Sequence, residues 1–130
     1  RLEPVVGRLF RRLEGDVELA GGETLTAGSR VVIDVRAANA DAAAVGPHPY
    51  CLDPDRRVAA KGVQRYGLAF GDGQHRCPGS FLALEEADVF LSRLLALPGV
   101  SLEGEPELRF NDLVQGYEVR DMWVAAGRER

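Results

Sequence analysis

The sequence predicts a mixed α/β fold in which one long helix follows a cysteine-containing loop and small antiparallel sheets make up much of the rest. Residues 78–97 repeat apolar side chains with helical periodicity, and Pro98-Gly99 ends the run. Short runs rich in β-branched residues, such as Val31-Val32-Ile33-Asp34-Val35, alternate with turn residues. Both patterns in one short chain indicate the mixed class.

The N-terminal half is predicted to be mostly extended. Pro4 and Gly7 oppose a regular helix, so residues 1–13 are interpreted as the end of a helix followed by an extended segment. Residues 17–38 are predicted to form strands separated by glycine turns. Asn39-Ala40-Asp41 is expected to cap a short alanine-rich helical turn at 41–45, and prolines then impose an irregular meander up to residue 67.

The C-terminal half is predicted to contain the best helix, at residues 78–97. Pro78 suits a first helical position, and an apolar arc wider than half the helical wheel predicts heavy burial. The strand-like pieces after it are residues 100–102, 113–114 and 122–124.

Composition narrows the functional class. The chain has 130 residues, which fits one domain or part of one, and 45% hydrophobic residues exclude a disordered segment. A net charge of −4 argues against general nucleic-acid binding. No run approaches the roughly 18 apolar residues of a membrane-spanning helix. Two cysteines are too few for a disulfide-stapled secreted scaffold.

The segment with the clearest chemistry is Phe70-Gly71-Asp72-Gly73-Gln74-His75-Arg76-Cys77-Pro78-Gly79. Its glycines permit a tight loop. Cys77 is expected directly at the N-terminus of the long helix, where the positive end of the helix dipole favours a thiolate. Gly79 leaves room for a large group near the sulfur. These features suit a metal or haem ligand or a nucleophile.

Other interpretations of Cys77 are open at this point. A nucleophilic cysteine needs a general base, and His75 lies two residues away. A tetrahedral zinc site could use His48, Cys51, His75 and Cys77, although their spacing matches no standard ligand pattern. An inert buried cysteine at a helix start is the plainest alternative.

The loop resembles the haem-binding signature of the cytochrome P-450 family, which is Phe, two residues of any kind, Gly, any, His or Arg, any, Cys, any, Gly. Its fixed positions are filled by Phe70, Gly73, His75, Cys77 and Gly79. The remaining chain is similar to the family in order, through a turn at 24–28, an Ala-Asn segment at 38–41 and a meander at 52–56. Thr26 stands where the family has proline, and Ala40 stands where it has arginine.

The resemblance spans residues 1–126 and is strongest to soluble bacterial members. The chain begins with Arg1 and has no signal-peptide pattern. Residues 1–130 are therefore expected to be the C-terminal, haem-binding portion of a single cytoplasmic P-450 domain whose N-terminal part is absent. Arg1 matches the arginine of the family's Glu-x-x-Arg pair, whose glutamate would lie upstream.

The resemblance implies haem b (iron protoporphyrin IX) as the cofactor, with Cys77 as the axial thiolate ligand of the iron and the catalytic residue. Phe70 would shield the sulfur, and His75 and Arg11 would bind the haem propionates through charge-assisted hydrogen bonds. Ala83 would be a small residue under the haem. The expected cofactor-binding set is Arg11, Phe70, Gly73, His75, Cys77, Gly79 and Ala83.

The resemblance also implies the reaction and its partners. The parent protein would be a monooxygenase that oxidises a small apolar substrate with molecular oxygen and electrons from a ferredoxin-type donor. Arg65 and Arg76 could face this donor protein. The expected substrate-lining residues are Val5, Val6, Gly7, Val114 and Gln115. The family's distal acid–alcohol pair has no counterpart here, so two alternatives stand: a non-catalytic haem-binding remnant and a peroxide-using or isomerising haem-thiolate enzyme.

Substitution of the two cysteines separates haem ligation by Cys77 from the zinc interpretation. Cys77→Ser is expected to abolish a thiolate-type haem spectrum because it removes the ligand, whereas Cys51→Ser should leave that spectrum intact. The measurement is the absorption spectrum of the haem-loaded, reduced, carbon monoxide-bound protein. Equal loss in both variants would favour the zinc interpretation.

Overall fold

The structure, a computed structural model, describes residues 1–127. It divides into two units. The first consists of residues 1–69 and 112–116, and the second of residues 70–111 and 117–127. None of the helices described in this range is long and apolar enough to cross a membrane.

Four strands organise the first unit, namely β1 (Arg8–Arg12), β2 (Val17–Glu18), β3 (Thr24–Leu25) and β4 (Arg30–Asp34). β1 pairs antiparallel with β4 and places Arg11 opposite Val31, while β2 pairs antiparallel with β3. Alternation along β1 leaves Leu9 and Arg11 half-buried on one face and Phe10 69% exposed on the other. A charged side chain thus takes the more covered face of the strand.

Two short helices follow the sheet, α1 (Val35–Asn39) and α2 (Ala42–Val45). The carboxylate of Asp34 accepts a hydrogen bond from the Ala37 amide, and that of Asp41 accepts one from the Ala43 amide, each at 2.9 Å. Such caps satisfy amides that have no partner within a helix. Val35 and Val45, each 1% exposed, form the apolar centre of this unit.

Asn39 joins three separate stretches of the first unit. It is 2% exposed. Its Nδ2 donates to the carbonyl of Arg1 at 3.0 Å, and its Oδ1 accepts from the amide of Leu68 at 2.6 Å. Gly67 is required beside it, because a Cβ there would lie 2.2 Å from Oδ1 and because φ is +57°. The buried amide therefore ties the start of the chain to the residues that precede the cysteine loop.

The second unit contains the long helix α3 (Ser80–Leu95) and three strands, β5 (Ser101–Glu103), β6 (Glu107–Asn111) and β8 (Trp123–Ala125). It also contains all of β7 (Gly116–Arg120) except Gly116, which belongs to the first unit. β5 pairs antiparallel with β8, and β6 pairs with β7. Phe110 on β6 and Tyr117 on β7 meet edge to face, with ring centroids 5.3 Å apart.

Side chains also link the second pair of strands electrostatically. Glu118 accepts hydrogen bonds from Asn111 and from Arg120, whose Nη2 lies 2.8 Å from the carboxylate. The hydrogen bond from Asn111 and then that from Arg120 lower the pKa of Glu118 below its ordinary value. Protonation of Glu118 therefore requires a lower pH than protonation of an unpaired glutamate.

The mixed α/β class and the capped turn at 41–45 are confirmed, whereas three local predictions are wrong. Residues 1–7 contain no helix. Residues 35–38 are helical rather than extended because the Asp34 cap turns the chain there. Residues 113–114 lie in the turn between β6 and β7, and neither of those two strands was predicted.

The long helix differs from expectation at its start and in its burial. It begins at Ser80, two residues after Pro78, with Gly79 as the N-cap. Ser80 is its one buried residue, and Phe81 and Leu95 are 77% and 70% exposed. The wide apolar arc exists as predicted, but the packing that heavy burial requires is not present among residues 1–127.

We predict that Asn39→Ala lowers the free energy of unfolding by about 2 kcal/mol, because it leaves the Arg1 carbonyl and the Leu68 amide without their buried partner. Asp41→Ala, which removes only a helix cap, should cost about 1 kcal/mol. Urea unfolding followed by circular dichroism measures both. A loss in Asn39→Ala no larger than that in Asp41→Ala would contradict the role given to Asn39.

Candidate functional site

The cysteine loop is closed by backbone hydrogen bonds at both of its ends. The Cys77 amide donates to the Phe70 carbonyl at 2.7 Å, and the Ser80 amide donates to the Cys77 carbonyl at 3.3 Å. Residues Gly73–His75 form a single turn of 3-10 helix within the loop. The backbone of Cys77 is therefore held on both sides, which limits the directions open to its side chain.

Two glycines make this closure possible for different reasons. Gly71 and Gly73 both lie in the left-handed region, with φ of +68° and +56°. A Cβ on Gly71 would also lie 2.6 Å from the carbonyl oxygen of His75, whereas a Cβ on Gly73 would meet nothing within 4 Å. Gly71 is thus required for space as well as for conformation.

The sulfur of Cys77 is accessible, since this cysteine is free and exposed. A Cβ on Gly79 would lie 3.9 Å from Sγ, so a larger residue there would cover this side of the sulfur. Ala83 lies one turn beyond Gly79, and its amide donates to the Gly79 carbonyl at 2.9 Å. An accessible sulfur donor beside small residues fits an axial thiolate ligand of a large planar group such as haem.

The position of Cys77 relative to the helix corrects the sequence interpretation. Cys77 lies three residues before the first residue of α3, rather than directly at its N-terminus. It is also not the inert buried cysteine that was the plainest alternative. The sulfur is therefore presented by the loop, and the helix begins just beyond it.

His75 and Phe70 both precede the cysteine in the same loop. His75 ends the 3-10 turn and is exposed, which leaves its imidazole accessible to an anionic group. Phe70 is half-buried. The second unit thereby brings together all the predicted cofactor-binding residues except Arg11.

Arg11 belongs to the first unit, on β1. It is half-buried, and its Nη1 donates to the carbonyl of Phe10 at 2.9 Å. One hydrogen bond to a neighbouring carbonyl uses one of the five donors of the guanidinium. The others are able to bind a carboxylate.

The predicted substrate-lining residues come together within the first unit, although about 100 positions separate them in the sequence. The Gly7 amide donates to the Val114 carbonyl at 2.8 Å. Val5 and Val6 are 79% and 41% exposed and present apolar surface beside this contact.

The positive charges of Arg1 and Arg56 lie close enough to influence each other. Burial and then the charge of Arg56 lower the pKa of the Arg1 guanidinium from its ordinary value. The Nε of Arg56 is buried and has no hydrogen-bond partner among the described residues. Its Nη1 and Nη2 donate to the backbone carbonyls of Val45, Pro47, His48 and Cys51.

Sequence reasoning missed Asn39 and Arg56. The capping tendency of asparagine drew attention to the turn at 41–45, while burial of Asn39 depends on contacts with residues 29 and 38 positions away. Arg56 was noted only as part of the meander. The prolines around Arg56 could have indicated its role. A proline-rich segment does not form regular strand pairs, so its backbone carbonyls are left for an arginine to bind.

The zinc alternative finds no support in side-chain placement. Within residues 1–127, no three His, Cys, Asp or Glu side chains converge closely enough to hold a metal ion.

The chain matches the family model described as Cytochrome P450 over residues 1–114. It is 33% identical over 119 residues to cytochrome P450 CYP199A2 of Rhodopseudomonas palustris, covering 91% of this chain and 27% of that protein. It is 34% identical over 113 residues to cytochrome P450 GfsF of Streptomyces halstedii, covering 83% and 26%.

Solved cytochrome P450 structures are also similar to this chain. P450BioI in complex with an acyl carrier protein ligated to hexadec-9Z-enoic acid aligns with a TM-score of 0.78 and 27% identity, covering 97% of this chain and 31% of that one. CYP109E1 from Bacillus megaterium in complex with corticosterone aligns with a TM-score of 0.71 and 28% identity, covering 95% and 32%. The chain thus spans about a quarter to a third of the length of these relatives.

The two loop glycines provide a test of the site geometry. Gly73→Ala should cost about 1 kcal/mol for its left-handed conformation. Gly71→Ala should cost more, because the new Cβ also meets the His75 carbonyl. Thermal unfolding and haemin titration of the two variants measure the difference. Equal losses in stability and haemin affinity would show that the close approach at Gly71 does not shape the loop.

Proposed function

The chain belongs to the cytochrome P450 family, and from that premise we propose that residues 1–130 are the C-terminal, haem-ligating portion of a bacterial haem-thiolate monooxygenase domain. The observation that carries the proposal is the accessible sulfur of Cys77 on a loop closed by backbone hydrogen bonds. The whole protein would oxidise a small apolar substrate with molecular oxygen. Its cytoplasmic location stays a prediction.

Cys77 is proposed as the axial ligand of haem b and as the catalytic residue. The loop fixes the backbone of Cys77 three residues before α3 begins, so the sulfur would be presented to the iron from the loop. When bound, the haem supplies oxygen activation at its iron, which a thiolate ligand promotes by donating electron density.

The other loop residues would hold and protect the cofactor. His75 would donate to a haem propionate, as would Arg11 from β1, because charge-assisted hydrogen bonds between cations and carboxylates are strong. Phe70, which is half-buried and whose carbonyl accepts the hydrogen bond of the Cys77 amide, would keep water from the sulfur. Gly79 and Ala83 would leave space for the porphyrin plane, and Gly73 would permit the turn.

The substrate is proposed to be apolar and to meet Val5, Val6, Gly7, Val114 and Gln115. Two of these, Val5 and Val6, present exposed apolar surface. Two structural relatives were solved in complex with an acyl carrier protein ligated to hexadec-9Z-enoic acid and with corticosterone. Apolar walls that exclude water suit such substrates.

A glutamate from a segment preceding Arg1 is proposed to pair with that arginine. The neighbouring charges of Arg1 and Arg56 and the buried Nε of Arg56 favour a carboxylate in this region. A cavity of about 480 Å³ lined by both arginines offers space for such a side chain. Upstream segments would likewise cover the exposed apolar arc of α3.

The electron donor is proposed to be an acidic, ferredoxin-type protein. Exposed arginines such as Arg65 and Arg76 would attract it by charge complementarity. A non-catalytic haem-binding remnant is the second candidate.

The proposal is tested by adding haemin to the chain, reducing it, binding carbon monoxide and recording the absorption spectrum. A strongly red-shifted, thiolate-type band is expected because Cys77 supplies the ligand. A band at the imidazole-type position would contradict the ligand assignment. Oxidation of apolar test compounds by the whole protein with a donor then separates the monooxygenase from the remnant.

The two histidines of the chain provide a matched pair for the propionate role. His75→Ala should weaken haem binding about tenfold through loss of one charge-assisted hydrogen bond. The thiolate-type band should remain. His48→Ala, which removes the other histidine, should leave the affinity unchanged. Haemin dissociation to an acceptor protein measures both, and a changed ligand type in His75→Ala would overturn the assignment.

A further inference from the structure

The two predicted substrate-lining segments meet through their backbones inside the first unit. The Gly7 amide donates to the Val114 carbonyl at 2.8 Å, and the Gly7 carbonyl accepts from the Val35 amide at 2.9 Å. Val35 is 1% exposed and begins α1. Gly7 therefore connects the turn at 112–116 to the buried centre of the unit.

Each segment has a glycine at the point of contact, because the backbone of the other segment leaves no space for a side chain there. A Cβ on Gly7 would lie 1.8 Å from the carbonyl oxygen of Gln115, and a Cβ on Gly116 would lie 2.9 Å from the carbonyl oxygen of Val5. Neither glycine is in the left-handed region, so conformation does not require them. Each segment is thus fitted to the backbone of the other.

The turn keeps its shape through Gln115. This residue has a φ of +53°, which is uncommon for a residue other than glycine. Its Nε2 donates to the carbonyl of Asp112 at 2.7 Å, which closes the turn on itself. A rigid turn would transmit a displacement at Gly7 to the neighbouring Val114.

We propose that Gly7 and Gly116 are specificity-determining positions that join the two segments into one substrate wall. Their close approach fixes the distance between the valines at 5 and 6 and the residues at 114 and 115. The proposal rests on the function proposed above, since these segments line a substrate pocket only in that case. It adds that the spacing of the wall is set by two residues with no side chain.

The size of the expected displacement differs between the two positions. Because Cβ atoms do not approach backbone oxygens within 3.0 Å, Gly7→Ala must separate the segments by at least about 1.2 Å. Gly116→Ala requires only a few tenths of an ångström for its closest contact. Gly21→Ala is a matched control, since a Cβ there meets nothing within 4 Å and φ is not left-handed.

The test uses two iron ligands, imidazole and 4-phenylimidazole, titrated into the haem-loaded protein by difference spectroscopy. Imidazole reports the iron alone, whereas the phenyl group also contacts the pocket wall. We expect Gly7→Ala to reduce the preference for 4-phenylimidazole over imidazole about tenfold, by analogy with small changes in apolar pockets. Gly116→Ala should reduce it less, and Gly21→Ala should not change it.

Amide hydrogen exchange of the haem-free chain gives an independent measurement. Peptides covering residues 4–7 and 112–116 should both exchange faster in Gly7→Ala and Gly116→Ala than in Gly21→Ala. Faster exchange with an unchanged ligand preference would overturn the proposal, because the segments would then be joined without shaping the pocket. Unchanged exchange would also overturn it.

The experiments distinguish failure of the specificity proposal from failure of the proposed function. Absence of a thiolate-type band in the unmodified protein refutes the function and the specificity proposal together, whereas a normal band with unchanged preference refutes only the latter. Equal loss of both ligands in Gly7→Ala means that the haem site itself has failed, which counts against a specificity role. If Gly7→Ala does not fold, Gly116→Ala decides.

Discussion

The first unit depends on the buried side chain of Asn39. This one amide binds the carbonyl of Arg1 and the amide of Leu68, and it leaves so little space that residue 67 must be glycine. Leu68 is two residues from Phe70, whose carbonyl accepts the hydrogen bond of Cys77. The residues that lead into the cysteine loop are thus held by a side chain that itself carries no reactive group.

The sequence predicted best those features that are encoded locally. The spaced pattern from Phe70 to Gly79 identified the loop, and the apolar periodicity identified α3 to within two residues at each end. The capped turn at 41–45 was likewise predicted, from Asn39-Ala40-Asp41, because capping depends on residues two or three positions apart. In each case the determining contacts lie within one turn of the chain.

Long-range contacts could not be predicted in the same way. Strands β6 and β7 were missed although each alternates polar and apolar residues, as in Glu107-Leu108-Arg109-Phe110-Asn111. Their pairing depends on contacts such as that between Phe110 and Tyr117, which the sequence does not reveal. The contact of Gly7 with Val114 joins residues on opposite sides of the long helix in sequence, and a glycine gives no sign of what approaches it. The burial of α3 was overestimated because periodicity reports which face is apolar and not what covers it.

The accessibility of the sulfur has a second consequence, which concerns handling of the protein. Cys51 and Cys77 are both free and exposed, and a thiolate that is available to iron is equally available to oxidants. Sulfenic acid formation or a disulfide between two molecules would consume the same electron pair that a haem iron needs. Cofactor capture and oxidation therefore compete for one atom, and the redox state of the surrounding solution decides which of them the chain undergoes first.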